Sequence, residues 1–138
     1  MYTKIFTTLP QEAKNIRIEV FMKEQGFENE FDDIDTISHH IVVFDEGKPI
    51  GTCRFFKENN HYTIGRVAVL KKYRNQHIGN LLLESAENEI KKLNGDLIVV
   101  HAQVRVSPFY EKQGYIQFGQ IDDDEGVPHM WMKKKIQY

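Results

Sequence analysis

This chain has one cysteine, no long apolar run and almost no net charge, and each lack narrows what the protein can be. Cys53 has no partner, which excludes an internal disulfide and fits a reducing cytosol. Nothing near it in sequence would depress its pKa, so a buried inert thiol is expected rather than a nucleophile. No apolar run approaches the roughly 18 residues of a membrane helix. The N-terminus has no signal-peptide pattern, so the expectation is a cytoplasmic protein with neither membrane insertion nor export. Lys and Arg number 18 against 20 Asp and Glu, a net charge of −2, which gives no electrostatic case for nucleic acid. Neither Gly-x-Gly-x-x-Gly nor Gly-Lys-Ser/Thr occurs, so a dinucleotide or nucleoside triphosphate is not the first expectation. Repeats, low-complexity tracts and linkers are also missing.

What is present is an ordinary globular composition, 138 residues of which 41% are hydrophobic and 28% charged. That suffices for a single domain, 1–138, burying about two-thirds of its unfolded surface. Residues 4–6 read as a first strand. Pro10 opens a helical stretch with Ala13, Ile16, Val20 and Phe21 at helical spacing and Arg17 and Glu24 on adjoining faces. Residues 26–37 are acidic and read as loop. Three strand-like runs follow (41–44, 49–56 and 62–70), and their short turns imply an antiparallel meander.

Ile78, Leu82, Ala86, Ile90 and Leu93 recur at helical spacing, and Asn94-Gly95 closes that helix. Residues 97–102 are apolar without alternation, as in a strand covered on both faces. Ser107-Pro108 reads as a helix start, serine as N-cap and proline at the first position, with Gly114 as the stop. Runs at 115–118 and 129–133 form a last pair around the acidic loop Asp122-Asp123-Asp124-Glu125-Gly126. The order β-α-βββ-α-β-α-ββ describes an α/β (α+β) domain, a central mixed, mostly antiparallel sheet with helices on both faces.

The most informative segment runs from Val67-Ala68-Val69 through Lys71, Lys72, Tyr73, Arg74, Asn75, Gln76, His77, Ile78, Gly79 and Asn80. A strand there delivers a basic turn to a helix N-terminus, whose free N–H groups and dipole suit a phosphate. This segment resembles the acyl-CoA signature of the GNAT N-acetyltransferase superfamily, a Val-Ala-Val strand followed by Arg/Gln-x-x-Gly-x-Gly/Ala. His77 stands where that family has its first glycine, so it either takes an unusual conformation or adds a donor to the phosphate. Gln103-Val104-Arg105-Val106-Ser107-Pro108-Phe109-Tyr110, ending at Gly114-Tyr115, resembles the family's second block, with Gln103 and Val106 in its asparagine and alanine places. The element order is also the GNAT order, so the likeness spans essentially the whole chain. Arg17 to Gln25, His40, Gly51 to Arg54 and Gly126 to His129 are similar to a small bacterial subfamily, the ElaA/YjcF-like proteins.

The resemblance implies acetyl-CoA as co-substrate, no metal, and transfer to a primary amine by direct attack. It implies acetyl-CoA contacts at Val67, Ala68, Val69, Arg74, Asn75, Gln76, His77, Ile78, Gly79, Asn80, Gln103, Phe109 and Tyr110. Tyr110 matches the tyrosine that protonates the departing thiolate, a role that a phenol still protonated at neutral pH can fill. An amine that is mostly ammonium also needs a base, and Glu24, Asp35, His40 and His129 are the candidates. His129 is placed first, because the turn Gly126-Val127-Pro128 would aim it inward. Arg17, Glu24 and His40 are then expected along the acceptor pocket, although Arg17 and Glu24 equally suit a solvated helix face. The two acidic loops either steer a cationic amine or are solvent-facing turns. His39 and His40 point to opposite faces of a strand and so chelate one ion poorly. A small-molecule amine is the expected acceptor. The alternatives are a protein or peptide acetyltransferase and a non-catalytic CoA-binding interaction module. A homodimer through the C-terminal strands is compatible with the resemblance.

Overall fold

The computed structural model describes all residues, Met1–Tyr138. Seven strands form one sheet in the order β1-β2-β3-β4-β5-β7-β6. They are β1 (Tyr2–Phe6), β2 (His39–Asp45), β3 (Lys48–Glu58), β4 (His61–Val69), β5 (Leu97–Gln103), β6 (Ile116–Asp124) and β7 (Val127–Lys135). The meander expected from the short turns is present, with β2, β3 and β4 antiparallel neighbours. Only β4 and β5 run parallel, as the helix between them, α2 (Ile78–Lys92), requires. That crossover covers one face of the sheet together with α3 (Ser107–Lys112), and α1 (Gln11–Arg17) covers the other. No helix is long and apolar enough to cross a membrane.

Helix α2 lies close against β3 because Gly51 has no side chain. A Cβ there would meet Ile78 Cγ2 at 3.0 Å and Leu82 Cδ1 at 3.3 Å. Ile78, Leu82, Ala86 and Ile90 are buried as their spacing predicts. Leu93 is not: the helix ends at Lys92, and Leu93 is 47% exposed. Cys53 is buried as expected, and burial pushes its thiol up to about 12. Ser107 is the first helical residue of α3 rather than its cap, since a one-turn 3-10 segment, Val104–Val106, already leads in. The last two strands extend further than expected, so Asp122, Asp123 and Asp124 are strand residues and only Glu125-Gly126 turn.

Two departures from regularity shape the functional end of the sheet. Thr52 pairs with Ala68 but Arg54 with Gly65, so β4 carries one residue more than β3 over this stretch, with Arg66 at φ +51° in the bulge. Pairing of β4 with β5 stops at Ile64↔Val100, and beyond it the strands part. In addition, α1 continues as a π-helix, Ile18–Glu24, a wider winding that hands the chain to Gln25 and Phe27 above that gap.

The acidic segment 26–37 is not a solvated loop. Glu30 and Asp35 are 4% and 6% exposed, and Asp33–Thr36 form a 3-10 turn. Three arginines from α1, β3 and β4 draw it inward. Arg17 Nε meets Glu30 Oε1 at 2.7 Å and Arg17 Nη1 meets Asp35 Oδ1 at 2.8 Å. Arg54 Nη1 meets Asp32 Oδ1 at 2.7 Å and Asp35 Oδ1 at 2.9 Å, while Arg66 Nε lies 3.0 Å from Glu30 Oε1. Three charges of each sign cancel.

Removing one member strands its buried partners, so Asp35→Asn is expected to lower the unfolding free energy by about 3–5 kcal/mol. Burial would raise the Asp35 pKa, but hydrogen bonds and charge from Arg17 and Arg54 outweigh it and hold the group below its ordinary value. A lowered folded pKa gives stability present above the unfolded value and lost as pH falls through the folded one. The urea midpoint of the native protein should therefore decline below about pH 4, and Asp35→Asn should flatten that decline. Glu30, raised mainly by burial, acts with the opposite sign.

Candidate active site

Where β4 and β5 part, two cavities open and share the walls Gln25, Val67, Arg105, Val106 and Tyr110. The larger, about 660 Å³, runs along the β4 edge to the start of α2. Its lining includes Val67, Ala68, Val69, Arg74, Asn75, His77, Ile78, Gly79, Asn80, Phe109 and Tyr110, all singled out from the sequence. Beyond Ile64 the β4 backbone has no β5 partner, so its edge is open to the slot. Asn75 (φ +64°) and His77 (φ +61°) are both left-handed, and His77 is the N-cap residue of α2. Left-handed residues alternating with an ordinary one gather backbone N–H groups into a concavity of the kind that suits an anion, here just before a helix N-terminus. Gly79 serves packing as well as approach, because a Cβ on it would lie 3.1 Å from the Phe109 ring.

Three of the residues singled out from the sequence stand apart from the rest. Gln76 does not line this groove. Gln103 lines the smaller cavity instead, where its amide donates to Gln25 Oε1 (2.8 Å) and accepts from Arg105 Nε (3.1 Å). Arg74 is on the groove, but its guanidinium is committed: Nε donates to the Val69 carbonyl, and Nη1 and Nη2 clamp Glu24 at 2.6 and 2.7 Å.

The smaller cavity, about 150 Å³, is roofed by Phe21 and Phe27 and lined by Glu30, Arg66, His101 and His129 among others. His129 is 6% exposed, and its Nδ1 donates to the Val127 carbonyl at 2.8 Å. That bond fixes the tautomer with the lone pair on Nε2, which has no protein partner and is open to solvent. Tyr110 is 7% exposed, and its hydroxyl likewise has no protein partner and is not sealed off. Burial, with Cys53 nearby, holds its pKa above the ordinary phenol value, so the proton stays on oxygen at neutral pH.

The other residues expected on the acceptor side lie elsewhere. Arg17 is 1% exposed, within the ion cluster. Glu24 is held at the groove edge by Arg74, which lowers its pKa through hydrogen bonds that outweigh desolvation. His40 is sealed beside the cluster, its Nε2 donating to the Asp35 carbonyl at 3.0 Å, and Asp35 is saturated by two arginines. None of these four lines the smaller cavity. Of the acidic loops, the first is folded inward; in the second, Glu125 accepts from the backbone of Glu28 and Asn29.

Sequence reasoning missed Glu30, Arg66, His101 and Arg105. His101 sat unnoticed in an apolar run, yet its Nε2 meets Asp122 Oδ1 at 2.7 Å and its ring lies 4.7 Å from that of His129. Its polarity in that run was the available signal. Glu30 had none, being one acidic residue among several.

A seven-stranded mixed sheet split between its two parallel strands, with a helix N-terminus beside the split, fits an acyl-CoA-type transferase. Comparison with known proteins agrees. The family model described as an acetyltransferase (GNAT) domain matches residues 7–136. The chain is 33% identical over 127 residues to the uncharacterized N-acetyltransferase YjcF of Bacillus subtilis, covering 90% of this chain and 91% of that one. Its fold aligns with the crystal structure of Escherichia coli ElaA at a TM-score of 0.88 and 21% identity, over 97% of this chain and 99% of the other. An aminoglycoside 6'-N-acetyltransferase complexed with coenzyme A gives a TM-score of 0.78 at 15% identity, over 98% and 97%. The chain belongs to the GNAT acetyltransferase family and is an acyltransferase.

The left-handed backbone at His77 costs an L-residue roughly 1–2 kcal/mol, part of which glycine returns as unfolded-state entropy. His77→Gly should therefore leave the unfolding free energy unchanged or raise it by up to about 1 kcal/mol, measured by urea denaturation. A clear loss would mean that the imidazole makes a stabilising contact.

Proposed function

We propose that this enzyme transfers the acetyl group of acetyl-CoA to the primary amine of a small molecule in the cytoplasm, by direct attack. The observation that carries the reading is the position of Tyr110 at the wall shared by the two cavities. One side offers a long slot that reaches a helix N-terminus, and the other a small polar chamber. The residues fit acetyl-CoA as co-substrate: the Asn75–His77 backbone and the α2 N-terminus suit a pyrophosphate, and the free β4 edge suits the amides of a pantetheine arm. The chamber's size and its aromatic roof favour a small acceptor over a polypeptide, which needs a broad open groove.

On this reading the β4 backbone at Val67 polarises the thioester carbonyl, an oxyanion-stabilising role. His129 Nε2 takes a proton from the attacking nitrogen, and the Tyr110 hydroxyl gives one to sulfur as the C–S bond breaks. Arg105 lines both cavities and has no carboxylate in salt-bridge range, its side chain bonding Gln103. Tyr110→Phe tests the assignment. Thiol release with a panel of primary amines should fall by about 10²–10⁴-fold, while the calorimetric Kd for CoA stays within about twofold of native. Undiminished turnover would remove Tyr110 from the chemistry.

A further inference from the structure

Two of the three carboxylates in the ion cluster are saturated. Asp35 Oδ1 accepts from Arg17 and Arg54, and its Oδ2 from Arg17 and the Asp32 backbone. Asp32 uses both oxygens on Arg54, with Arg66 also on Oδ2. Glu30 differs. Its Oε1 carries the contacts of Arg17 and Arg66, while Oε2 accepts no protein hydrogen bond. Glu30 is 4% exposed, yet Oε2 is not among the polar atoms sealed from solvent without a partner, and the residue lines the smaller cavity. Glu30 thus carries a solvent-accessible free oxygen and lines the same chamber as His129 and Tyr110, whose Nε2 and hydroxyl are also without protein partners. Pairing is not what the second oxygen serves.

We infer that Glu30 Oε2 receives the acceptor as its alkylammonium and takes its first proton, a role that rests on the acetyl transfer proposed above. An ammonium must lose two protons to become an amide, and the chamber supplies two acceptors. One N–H bond of R–NH₃⁺ breaks and its proton passes to Oε2. The lone pair thus freed attacks the thioester carbonyl. The second proton passes to His129 Nε2 as the C–S bond breaks and the Tyr110 proton moves to sulfur. Of the two protons held by Glu30 and His129, one restores the Tyr110 hydroxyl and the other leaves to solvent. Burial, which raises the Glu30 pKa above the ordinary carboxylate value, makes it a better proton acceptor than a solvated glutamate. The acceptor class follows: a compact, unhindered primary alkylammonium that fits about 150 Å³.

n-Butylamine is the probe. In the native protein, with and without CoA, the ¹³C resonance of the Glu30 side-chain carboxyl is followed during titration with butylammonium and, separately, n-butanol. A saturable shift with the ammonium and none with the alcohol is expected. No shift, or equal shifts with both, overturns the inference, whether or not butylamine is turned over. Where it is turned over, Glu30→Gln should lower kcat/KM by at least about 100-fold, with CoA affinity unchanged and part of the rate kept by Glu30→Asp. A Glu30→Gln rate within threefold of native also overturns it. Failure of the native protein to bind CoA in calorimetry overturns the acetyl-transfer reading instead, and the two failures are thereby separated.

Discussion

Six charged side chains, three of each sign, meet where α1, β3 and the bulged end of β4 face the segment between α1 and β2. No local signal would bury Glu30 and Asp35 or draw Asp32 to their side, and a lone carboxylate costs several kcal/mol to take out of water. Arg17, Arg54 and Arg66 offset that cost together, so the segment packs inward as a unit. Phe27, which follows the π-helix, then roofs the chamber, and the Arg66 side chain on the β4 bulge is tied to the same cluster. The charge balance and the shape of the acceptor chamber are one arrangement.

The chemistry lies at the edge of that arrangement. Parting of β4 from β5 exposes a backbone edge that a continuous sheet would have used up, and α2 begins at the far end of the same slot. Tyr110, Glu30 and His129 are each more than nine-tenths buried, and each leaves one polar atom without a protein partner on the chamber. All three atoms are reachable by solvent, so a ligand entering the cavity can take up their hydrogen-bonding capacity. His101, beside His129 and bonded to Asp122, adds a polar connection from the chamber towards the exposed strand β6.

Legibility in the sequence followed the distance over which each feature is assembled. The meander, α2 and β5 could be read because their patterns repeat within a dozen residues. The slot could be read because residues 67–80 and 109–110 line it as nearly continuous segments. The acceptor side could not. Arg17 and Glu24 sit on one helical stretch at spacings that suit a pocket face, but the π-helical winding and distant partners at Glu30, Asp35 and Arg74 send both elsewhere. Glu30 and His129 share a chamber only because the sheet carries β7 next to β5 and the arginines pull segment 26–37 over it. Pairings of that range leave no mark in local composition. The β4 bulge has no local signature either, since Gly65-Arg66 inside a strand-like run does not by itself specify an extra residue.

The proposed chemistry depends on where the thioester lies. A crystal structure of the protein with CoA measures it directly. The pantetheine arm should run between β4 and β5, with its sulfur within hydrogen-bonding distance of the Tyr110 hydroxyl and its pyrophosphate on the Asn75–His77 backbone. A CoA bound elsewhere, or a sulfur held away from Tyr110 and the Glu30 chamber, would contradict it.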